Sequence, residues 1–465
     1  MTQDLLCVLD VGKTNAKLTC IAAHTGDTVW SAQRPCIAQE GAVVRQLDIH
    51  GIEDWLLASL AAAPMKARIG TFVPIAHGAA AVLLDASNEV LAAPDYEDPR
   101  FDSVRDAYDA LRDPFEATYS PALPVGLNLG RQLYLLEQQQ PDLLRRCRHI
   151  LLYPQYWGWR LSGAMASEIT SLGCHTDLWQ PLQSRYSSLA VSRGWAALLP
   201  PLRAAGAVLG RIKPDLAAAA GLDPACRVLC GLHDSNASWL CHLAARSGTE
   251  PFAVISSGTW TVVMTHGADP ARLHDARDML LNVDARGDPV ATARFMGGRE
   301  YEAIVGGQRS SSAGSGAAIE RIIRREAMAL PSFTPAGGPF AGREGRLVNA
   351  GDLDSAERSA LATLYVALMT DLLLDLLGAA GESIIDGPLA DNALYCALLA
   401  TLRQPGRVAI GAGRSGPAQA ARWLAGYGTA AETAASIVMP LQIPRLAQYR
   451  AAWRSRAGAA ELHRG

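Results

Sequence analysis

The chain repeats one local pattern, a strand followed by a turn with glycine and threonine and then a second strand. In the N-terminal part, Leu5 to Asp10 and Ala16 to Ala23 are the two strands, and a third strand around Thr28 to Ser31 makes a β-meander. Near the middle, Phe252 to Ser256 and Trp260 to Thr265 repeat the strand pair. Short strands alternate with longer helical segments elsewhere, which is typical of an α/β protein. The repeat predicts two domains that each open with a hairpin.

The length of the chain agrees with this division. A chain of 465 residues is too long for one compact core, and 49% apolar with 19% charged residues exclude a mostly disordered protein. We place the domains at residues 1–244 and 245–465. In the second domain, periodicity predicts a long helix at Ala356 to Leu377 and strands at Ser383 to Asp386 and Arg407 to Ile410.

Charge and cysteine content exclude several classes of protein. The 42 Lys and Arg against 45 Asp and Glu give a net charge of −3 without a basic cluster, so we expect no nucleic-acid partner. Uninterrupted apolar stretches stay below the roughly eighteen residues that span a membrane, so we expect no membrane partner. Nine cysteines without a CxxC pair indicate reduced thiols in a cytoplasmic protein. A homodimer is compatible with the sequence.

The first hairpin turn carries groups that suit a phosphate. It combines a flexible glycine, two neutral donors and two lysines, namely Gly12, Thr14, Asn15, Lys13 and Lys17. Asp10, at the end of the preceding strand, is suited to hold Mg²⁺ through water. An ordinary hairpin turn explains the same string equally well. The turn is not a Walker P-loop, because Cys7 stands where that motif needs glycine and a strand follows instead of a helix.

The second hairpin turn, Ser256 to Trp260, offers hydroxyls and backbone amides for a further phosphate contact. Ser-Gly-Thr turns are also common for purely structural reasons. The pairing with the first turn favours the phosphate interpretation, since a nucleotide held between two domains needs one loop from each.

A third candidate is Asp234 in Gly231-Leu232-His233-Asp234. The carboxylate lies at the end of a strand and the start of a helix, where α/β sheets bind ligands, and it is suited to accept a sugar hydroxyl proton. By local sequence alone, an N-cap aspartate for the helix Ser235 to Arg246 is favoured by roughly two to one. His233 is interpreted as a neighbour that packs or orients.

A rival interpretation comes from Gly411 to Gly416, a literal GxGxxG between a predicted strand and a helix, with Glu432 further on. This is the formal case for a dinucleotide site. Only 465 − 416 = 49 residues follow, too few for the rest of such a sheet, and Glu432 lies in a helical segment. A helix N-terminus near a nucleotide, or simple close packing, is the alternative.

The motifs, in this order and spacing, resemble the FGGY family of carbohydrate kinases. They are Asp10 to Asn15 with Lys17, His77-Gly78 before an Ala-Val-Leu-Leu-Asp strand, Gly231 to Asp234, and Ser256 to Trp260. Trp260 after the Gly-Thr pair is similar to the L-fuculokinase and L-rhamnulokinase branch. Tyr153 to Gly163 resembles the family's segment that ends in a turn beside the sugar.

This resemblance implies two actin-like, ribonuclease-H-like domains around a central cleft, with sugar held mainly by the first and ATP mainly by the second. It gives Asp234 the role of catalytic base and Asp10 that of the carboxylate near Mg²⁺. The implied ATP-binding residues are Gly12, Lys13, Thr14, Asn15, Lys17, Gly258, Thr259, Gly387, Asn392 and Gly411. The implied sugar-binding residues are His77, Gly78, Gln155, Tyr156 and Asp234.

Two segments differ from the family pattern. The adenosine region reads Asp386 to Asn392 in place of a Gly-Gly-Gly run, so Asp386 adds charge and Pro388 removes an amide donor. The usual substrate segment is altered to Asp95 to Arg100. We predict an ATP- and Mg²⁺-dependent kinase of a ketose or deoxyketose, with L-fuculose first and L-rhamnulose, xylulose or ribulose as alternatives. A degenerate member that binds sugar or nucleotide without turnover is the second hypothesis.

Overall fold

The chain divides into two units, each with its own sheet. The computed structural model describes residues 3–246, 250–306, 315–335, 337–411, 416–429, 435–459 and 462. Unit 1 comprises Met1–Arg246, Leu281–Pro289 and Ser415–Glu432, and unit 2 comprises Ser247–Leu280, Val290–Arg414 and Thr433–Gly465. Unit 1 therefore includes two later segments that a division after residue 244 assigns to the second domain.

Strands occur along most of the described chain in both units. In order they are β1 (Leu5–Val11), β2 (Asn15–Ala22), β3 (Thr28–Pro35), β4 (Ile69–Ala76), β5 (Ala81–Leu84), β6 (Val90–Ala92), β7 (His149–Leu152), β8 (Trp179–Gln180), β9 (Arg185–Tyr186), β10 (Val208–Arg211), β11 (Arg227–Leu229), β12 (Leu232–His233), β13 (Phe252–Ser257), β14 (Thr261–His266), β15 (Met279–Val283), β16 (Pro289–Phe295), β17 (Met328–Leu330), β18 (Arg346–Val348), β19 (Glu382–Asp386), β20 (Val408–Ile410) and β21 (Ser436–Ile437).

The helices differ widely in length. In order they are α1 (Ile49–Ala62), α2 (Arg105–Asp109), α3 (Phe115–Thr118), α4 (Leu129–Gln139), α5 (Pro141–Arg146), α6 (Tyr153–Ser162), α7 (Ile169–Leu172), α8 (Ser188–Ser192), α9 (Pro214–Ala220), α10 (Asp234–Ala244), α11 (Gly297–Val305), α12 (Gly316–Arg324), α13 (Ser355–Leu377), α14 (Ala393–Leu402), α15 (Pro417–Leu424) and α16 (Leu446–Arg456). Short 3₁₀ helices lie at Lys66–Arg68, Pro99–Val104, Trp195–Leu198, Pro270–Arg272, Asp275–Arg277 and Pro388–Asp391.

Both units contain the same central strand order. In unit 1 the antiparallel meander β1-β2-β3 continues through β1 into the parallel strands β4 and β11, and β12 also pairs with β4. In unit 2 the antiparallel strands β13, β14 and β16 are followed, on the other side of β13, by the parallel strands β19 and β20. An antiparallel meander joined to parallel strands is the ribonuclease-H-like arrangement that the family resemblance implies. The predicted repeat of the opening hairpin is confirmed.

Helix α15 belongs to unit 1 although it lies late in the chain. Ala420 and Ala421 are fully buried in one apolar cluster with Leu6 and Val8 of β1. The buried guanidinium of Arg422 donates from Nε to the carbonyl of Ala23 at 2.8 Å. Apolar packing and this hydrogen bond, between residues about four hundred positions apart, explain why a linear boundary does not describe unit 1.

Helix α13 forms the centre of unit 2. It begins with a capping box, in which Asp354 accepts the amide of Glu357 at 2.7 Å. Among the described residues it is the one helix long and apolar enough to cross a membrane, but 94% of its most apolar 18-residue stretch is buried inside the protein. The helix is therefore a core helix, which its near-continuous apolar sequence reflects.

Candidate active site

Three parallel strands of unit 1 end side by side. β4 pairs with β1 on one side and with β12 on the other, so the carboxyl ends of all three strands lie at one edge of the sheet. Asp10 lies at the end of β1, His77 directly follows β4 and Asp234 directly follows β12. Ligands of α/β sheets bind beyond this edge. The fold thus brings together three predicted site residues that are far apart in the sequence.

Asp10 lies close to the carboxylate of Asp234. Burial and the negative charge of Asp234 raise the pKa of Asp10 to about 7, while the positive charge of Lys17 opposes the shift. Lys17 lies directly opposite Asp10 in the pairing of β1 with β2. Mg²⁺ prefers oxygen ligands and usually takes one or two carboxylates together with water and substrate phosphates. The Asp10 carboxylate fits such an ion, although the described residues contain no group of three His, Cys, Asp or Glu side chains that could hold a metal ion.

Asp234 is the first residue of α10 and does not cap that helix. The N-cap is His233, and the helix has no side-chain cap. Oδ1 of Asp234 accepts a hydrogen bond from Ser235 Oγ at 3.2 Å and lies 3.2 Å from Nε2 of His233. The interpretation of Asp234 as an N-cap is wrong, because the helix begins one residue earlier than predicted. With its side chain 33% exposed, the carboxylate is accessible to a ligand.

His77 is buried among aromatic rings. Its ring centroid lies 5.4 Å from that of Tyr96 and 5.0 Å from that of Tyr153. Burial lowers the pKa of His77, so the imidazole is neutral at pH 7. Nδ1 lies 2.9 Å from the carbonyl oxygen of Gly78, which requires the proton to be on Nδ1. Nε2 is therefore an acceptor, suited to a hydroxyl group.

Gly78 is packed against the ring of His233. A Cβ atom at this position would lie 2.6 Å from Nε2 of His233, closer than any side chain tolerates. The absence of a side chain at residue 78 thus lets the imidazole approach the edge of the sheet.

The turn between β1 and β2 is compact. The amide of Gly12 donates to the carbonyl of Asn15 at 3.0 Å, and the carbonyl of Thr14 accepts from the amide of Cys36 at 2.8 Å. The side chains of Thr14, Asn15 and Lys17 are exposed. These three predicted phosphate-binding residues are therefore available to a ligand.

Lys13 has a different environment from the rest of the turn. Its Nζ donates to Oδ1 of Asp95 at 2.6 Å and lies 3.5 Å from Oε2 of Glu97. It also lies 5.3 Å from the ring centroid of Tyr96. The charge of Lys13 is paired with the altered substrate segment, and a bound phosphate would have to compete for it.

Gln155 and Tyr156 lie on α6, beneath the site. Gln155 Nε2 donates to the carbonyls of Cys230 and Gly231 at 3.2 and 3.3 Å, and so supports the chain just before β12. Tyr156 is 1% exposed and packs edge-on against Trp157 in the core. Because its ring lies in the core, Tyr156 is unsuited to contact a sugar.

In unit 2, the tip Gly258 to Trp260 joins β13 to β14, and Gly258 and Thr259 are exposed. The residue before the tip is tied to the adenosine region. Ser257 Oγ donates to the carbonyl of Asp386 at 2.8 Å and accepts from the amide of Leu389 at 2.9 Å. The second predicted phosphate turn thus has a fixed connection to the end of β19.

The remaining predicted nucleotide residues also lie beyond strand ends of unit 2. Gly387 follows β19 and Gly411 follows β20. Gly387 has φ of +74°, and a Cβ there would lie 2.4 Å from the carbonyl oxygen of Ser257, so no other residue fits. The side chain of Asn392 accepts the amide of Tyr395 at 3.0 Å and caps α14.

Asp386 and Pro388, which depart from the family pattern, are both described by the structure, whereas the GxGxxG string is described only in part. The side chain of Asp386 is 4% exposed, and Pro388 opens the 3₁₀ helix Pro388–Asp391. Residues 412–415 of the GxGxxG string and Glu432 lie outside the described residues. The structure therefore describes the ends of that string, Gly411 and Gly416, but not its middle.

Comparison with known proteins identifies the family. A crystal structure of a carbohydrate kinase from Novosphingobium aromaticivorans is 35% identical, with a TM-score of 0.89 over 99% of this chain and 100% of that one. The model of the carbohydrate kinase FGGY C-terminal domain matches residues 249–434. The chain belongs to the FGGY family of carbohydrate kinases. The family and enzyme class predicted from the motifs are confirmed.

A more distant sugar-kinase structure agrees in fold. A xylulose kinase from Rhodospirillum rubrum superposes with a TM-score of 0.76 at 18% identity, covering 99% of both chains. The chain is also similar to the curated L-fuculokinase of Salmonella typhi, at 27% identity over 57% of each protein. Rhamnulokinase of Halalkalibacterium halodurans is 25% identical over 42% of each. These alignments span less than two thirds of the curated relatives. The predicted actin-like fold of FGGY kinases is confirmed.

Sequence reasoning missed two parts of the candidate site. Glu168 is fully buried behind His233, and an acidic residue directly before a short helix was its only signal. In unit 2, the amide of Gly298 donates to the carbonyl of Thr259 at 3.2 Å, and a Cβ there would lie 2.4 Å from the carbonyl oxygen of Gly258. The signal for this contact was the Gly297-Gly298 pair, separated by one residue from the end of β16.

Proposed function

We propose that this protein transfers the γ-phosphoryl group of ATP to a hydroxyl group of a ketose or deoxyketose. The observation that carries the proposal is the position of Asp234, an accessible carboxylate beyond three strand ends and beside Asp10 and His77. Carboxylates placed there serve as general bases when they reach the acceptor hydroxyl.

In the proposed step, Asp234 accepts the proton of the sugar hydroxyl while the hydroxyl oxygen forms a bond to the γ-phosphorus. The bond from phosphorus to the β–γ bridging oxygen breaks, and ADP leaves. Mg²⁺, held through Asp10, would neutralise charge on the phosphate oxygens. Nε2 of His77 is proposed to accept a hydrogen bond from a sugar hydroxyl group, which positions the sugar.

The phosphates and the adenosine are assigned to the exposed turns and strand ends. Gly12, Thr14 and Asn15 of unit 1 are proposed phosphate contacts, because the turn is compact and its side chains are exposed. Gly258 and Thr259 of unit 2 are proposed as a second phosphate turn on the same grounds. Gly387, Asn392 and Gly411 are proposed to lie near adenosine, with the buried Asp386 as support rather than ligand.

L-Fuculose is the favoured sugar, with L-rhamnulose, xylulose and ribulose as alternatives. The support is the Trp260 motif and the partial similarity to an L-fuculokinase and a rhamnulokinase. The cytoplasmic location and the homodimer stay predictions.

The experiment is a coupled assay of ADP release with ATP, Mg²⁺ and each of the four ketoses. We expect one ketose to stimulate ADP release well above the background without sugar, and D234N to abolish the stimulation. D54N, which changes an exposed carboxylate on α1, is the matched control and should retain full activity. An absence of stimulation by all four sugars would contradict the proposed substrate class.

The altered adenosine segment, with Asp386 and Pro388, motivates the second candidate, a sugar- or nucleotide-binding protein without turnover. Isothermal titration with ADP and with each ketose separates the two candidates. Binding of either ligand without stimulated ADP release favours the second.

A further inference from the structure

The two oxygens of the Asp234 carboxylate have different environments. Oδ1 accepts from Ser235 Oγ and faces Nε2 of His233, each at 3.2 Å. Oδ2 has no hydrogen-bond partner within the part of the chain that the structure describes. One oxygen is therefore held by the protein, and the other is left to meet a ligand.

The backbone of His233 is held by a buried chain of hydrogen bonds. Its amide donates to Oγ1 of Thr170 at 3.0 Å, and that hydroxyl donates to Oε2 of Glu168 at 2.5 Å. Glu168 is fully buried and also accepts the amides of Thr170 and Ser171, as the N-cap of α7. The chain of contacts runs from a buried carboxylate through a hydroxyl to the backbone of the residue beside the base.

We propose that His233 is the positioning residue for Asp234, and that Glu168 acts on the base through Thr170 and His233. In this arrangement, Nε2–H of His233 holds Oδ1, so that Oδ2 faces the sugar hydroxyl. The inference rests on the proposed function, since it assigns the residues that aim the proposed base.

The charges around the imidazole favour this arrangement. Burial disfavours the imidazolium, but the negative charge of Cys174 and its hydrogen bond, followed by the charges of Asp234 and Glu168, outweigh burial and raise the pKa of His233 to about 9. His77, the titratable group that faces it from β4, is neutral at pH 7. A protonated Nε2 at neutral pH carries a proton that faces Oδ1 at an Nε2–Oδ1 distance of 3.2 Å.

Substitutions of His233 test the positioning role. H233L removes the donor and should lower kcat with the proposed sugar by about 100-fold, with KM for the sugar changed by less than about threefold. H233Q places an amide nitrogen near the same position and should recover at least about tenfold of the loss. H50L, which changes an exposed histidine on α1, is the control.

Two further variants disturb His233 without replacing it. G78A forces a Cβ against Nε2 and should reproduce the kcat loss of H233L while the imidazole remains. T170V removes the hydroxyl that joins Glu168 to the His233 amide and should lower kcat by about tenfold. Thermal unfolding checks that each variant is folded. Wild-type kcat in folded H233L and G78A would overturn the inference.

A measurement on the wild type does not depend on turnover. In ¹⁵N-histidine NMR at pH 7, Nε2 of His233 should be protonated, and D234N should shift its resonance. An unprotonated Nε2, or one that D234N leaves unchanged, would overturn the positioning role. If instead no ketose stimulates ADP release while this NMR signature is present, the proposed function fails and the His233–Asp234 contact stands.

Discussion

Nζ of Lys13 donates a 2.6 Å hydrogen bond to Oδ1 of Asp95, whose side chain is only 1% exposed. The pair joins the turn between β1 and β2 to the segment that departs from the FGGY pattern. Arg45, the other cation near Asp95, lies 3.7 Å from Oδ2. Lys13 is thus the main partner of a buried carboxylate.

The variant K13M should lower the free energy of unfolding by about 2 kcal/mol, because it leaves a buried carboxylate poorly paired. D95N in the K13M background should recover most of that loss. Urea denaturation of both single variants and the double variant gives the coupling energy. Effects that add to within about 0.5 kcal/mol would show that the pair contributes nothing.

Glu168 should make stability depend on pH. Burial raises its pKa to about 7, against hydrogen bonds from Thr170 that lower it, whereas the unfolded value is 4.5. The folded state therefore binds the proton more tightly, and the contribution of Glu168 to stability falls as pH rises from about 4.5 to about 7.

Replacement by glutamine removes this titration. Between pH 5 and pH 8, E168Q should gain about 2 kcal/mol of unfolding free energy relative to wild type. Urea denaturation at the two pH values measures the gain, with the exposed Glu116 changed to glutamine as the control. A difference that is the same at both pH values would be inconsistent with a raised pKa.

The sequence predicted the hairpins and the strand ends well, because apolar runs and glycine turns are local signals. Asp10, His77 and Asp234 came together as expected. The N-cap assignment of Asp234 failed because local propensity does not show that the chain turns into α10 at His233. Glu168 could not be predicted, since its contact with the backbone of His233 through Thr170 depends on tertiary packing. The place of α15 in unit 1 depends on packing against β1, which no local pattern encodes.

Asp371 anchors the C-terminal helix of unit 2. Its fully buried carboxylate accepts from Arg450 Nε at 2.6 Å and from Arg454 Nη2 at 2.7 Å. D371N should lower the free energy of unfolding of unit 2 by about 2 kcal/mol, because it leaves Arg450 and Arg454 with Asp375 as their remaining carboxylate partner. The control D352N, at an 82% exposed carboxylate, should cost less than about 1 kcal/mol. Similar losses for the two variants in urea denaturation would refute a special role for Asp371.

Gly387 tests the adenosine assignment. Alanine there would bring Cβ to 2.4 Å from the carbonyl of Ser257, so we expect the strand end to shift and ADP binding to weaken by about tenfold. G342A is the matched control, since Gly342 has φ of +78° but nothing within 4 Å of its added Cβ. Isothermal titration with ADP compares the two. Equal affinities would remove Gly387 from the proposed nucleotide site.

The central claim is that Asp234 serves as the base in phosphoryl transfer to a sugar hydroxyl. Its most direct test is ³¹P NMR of ATP, Mg²⁺ and the activating ketose incubated with wild type or with D234N. We predict a phosphomonoester signal of the sugar together with ADP for wild type, and neither above background for folded D234N. A sugar phosphate formed by D234N at a rate close to wild type would contradict the account.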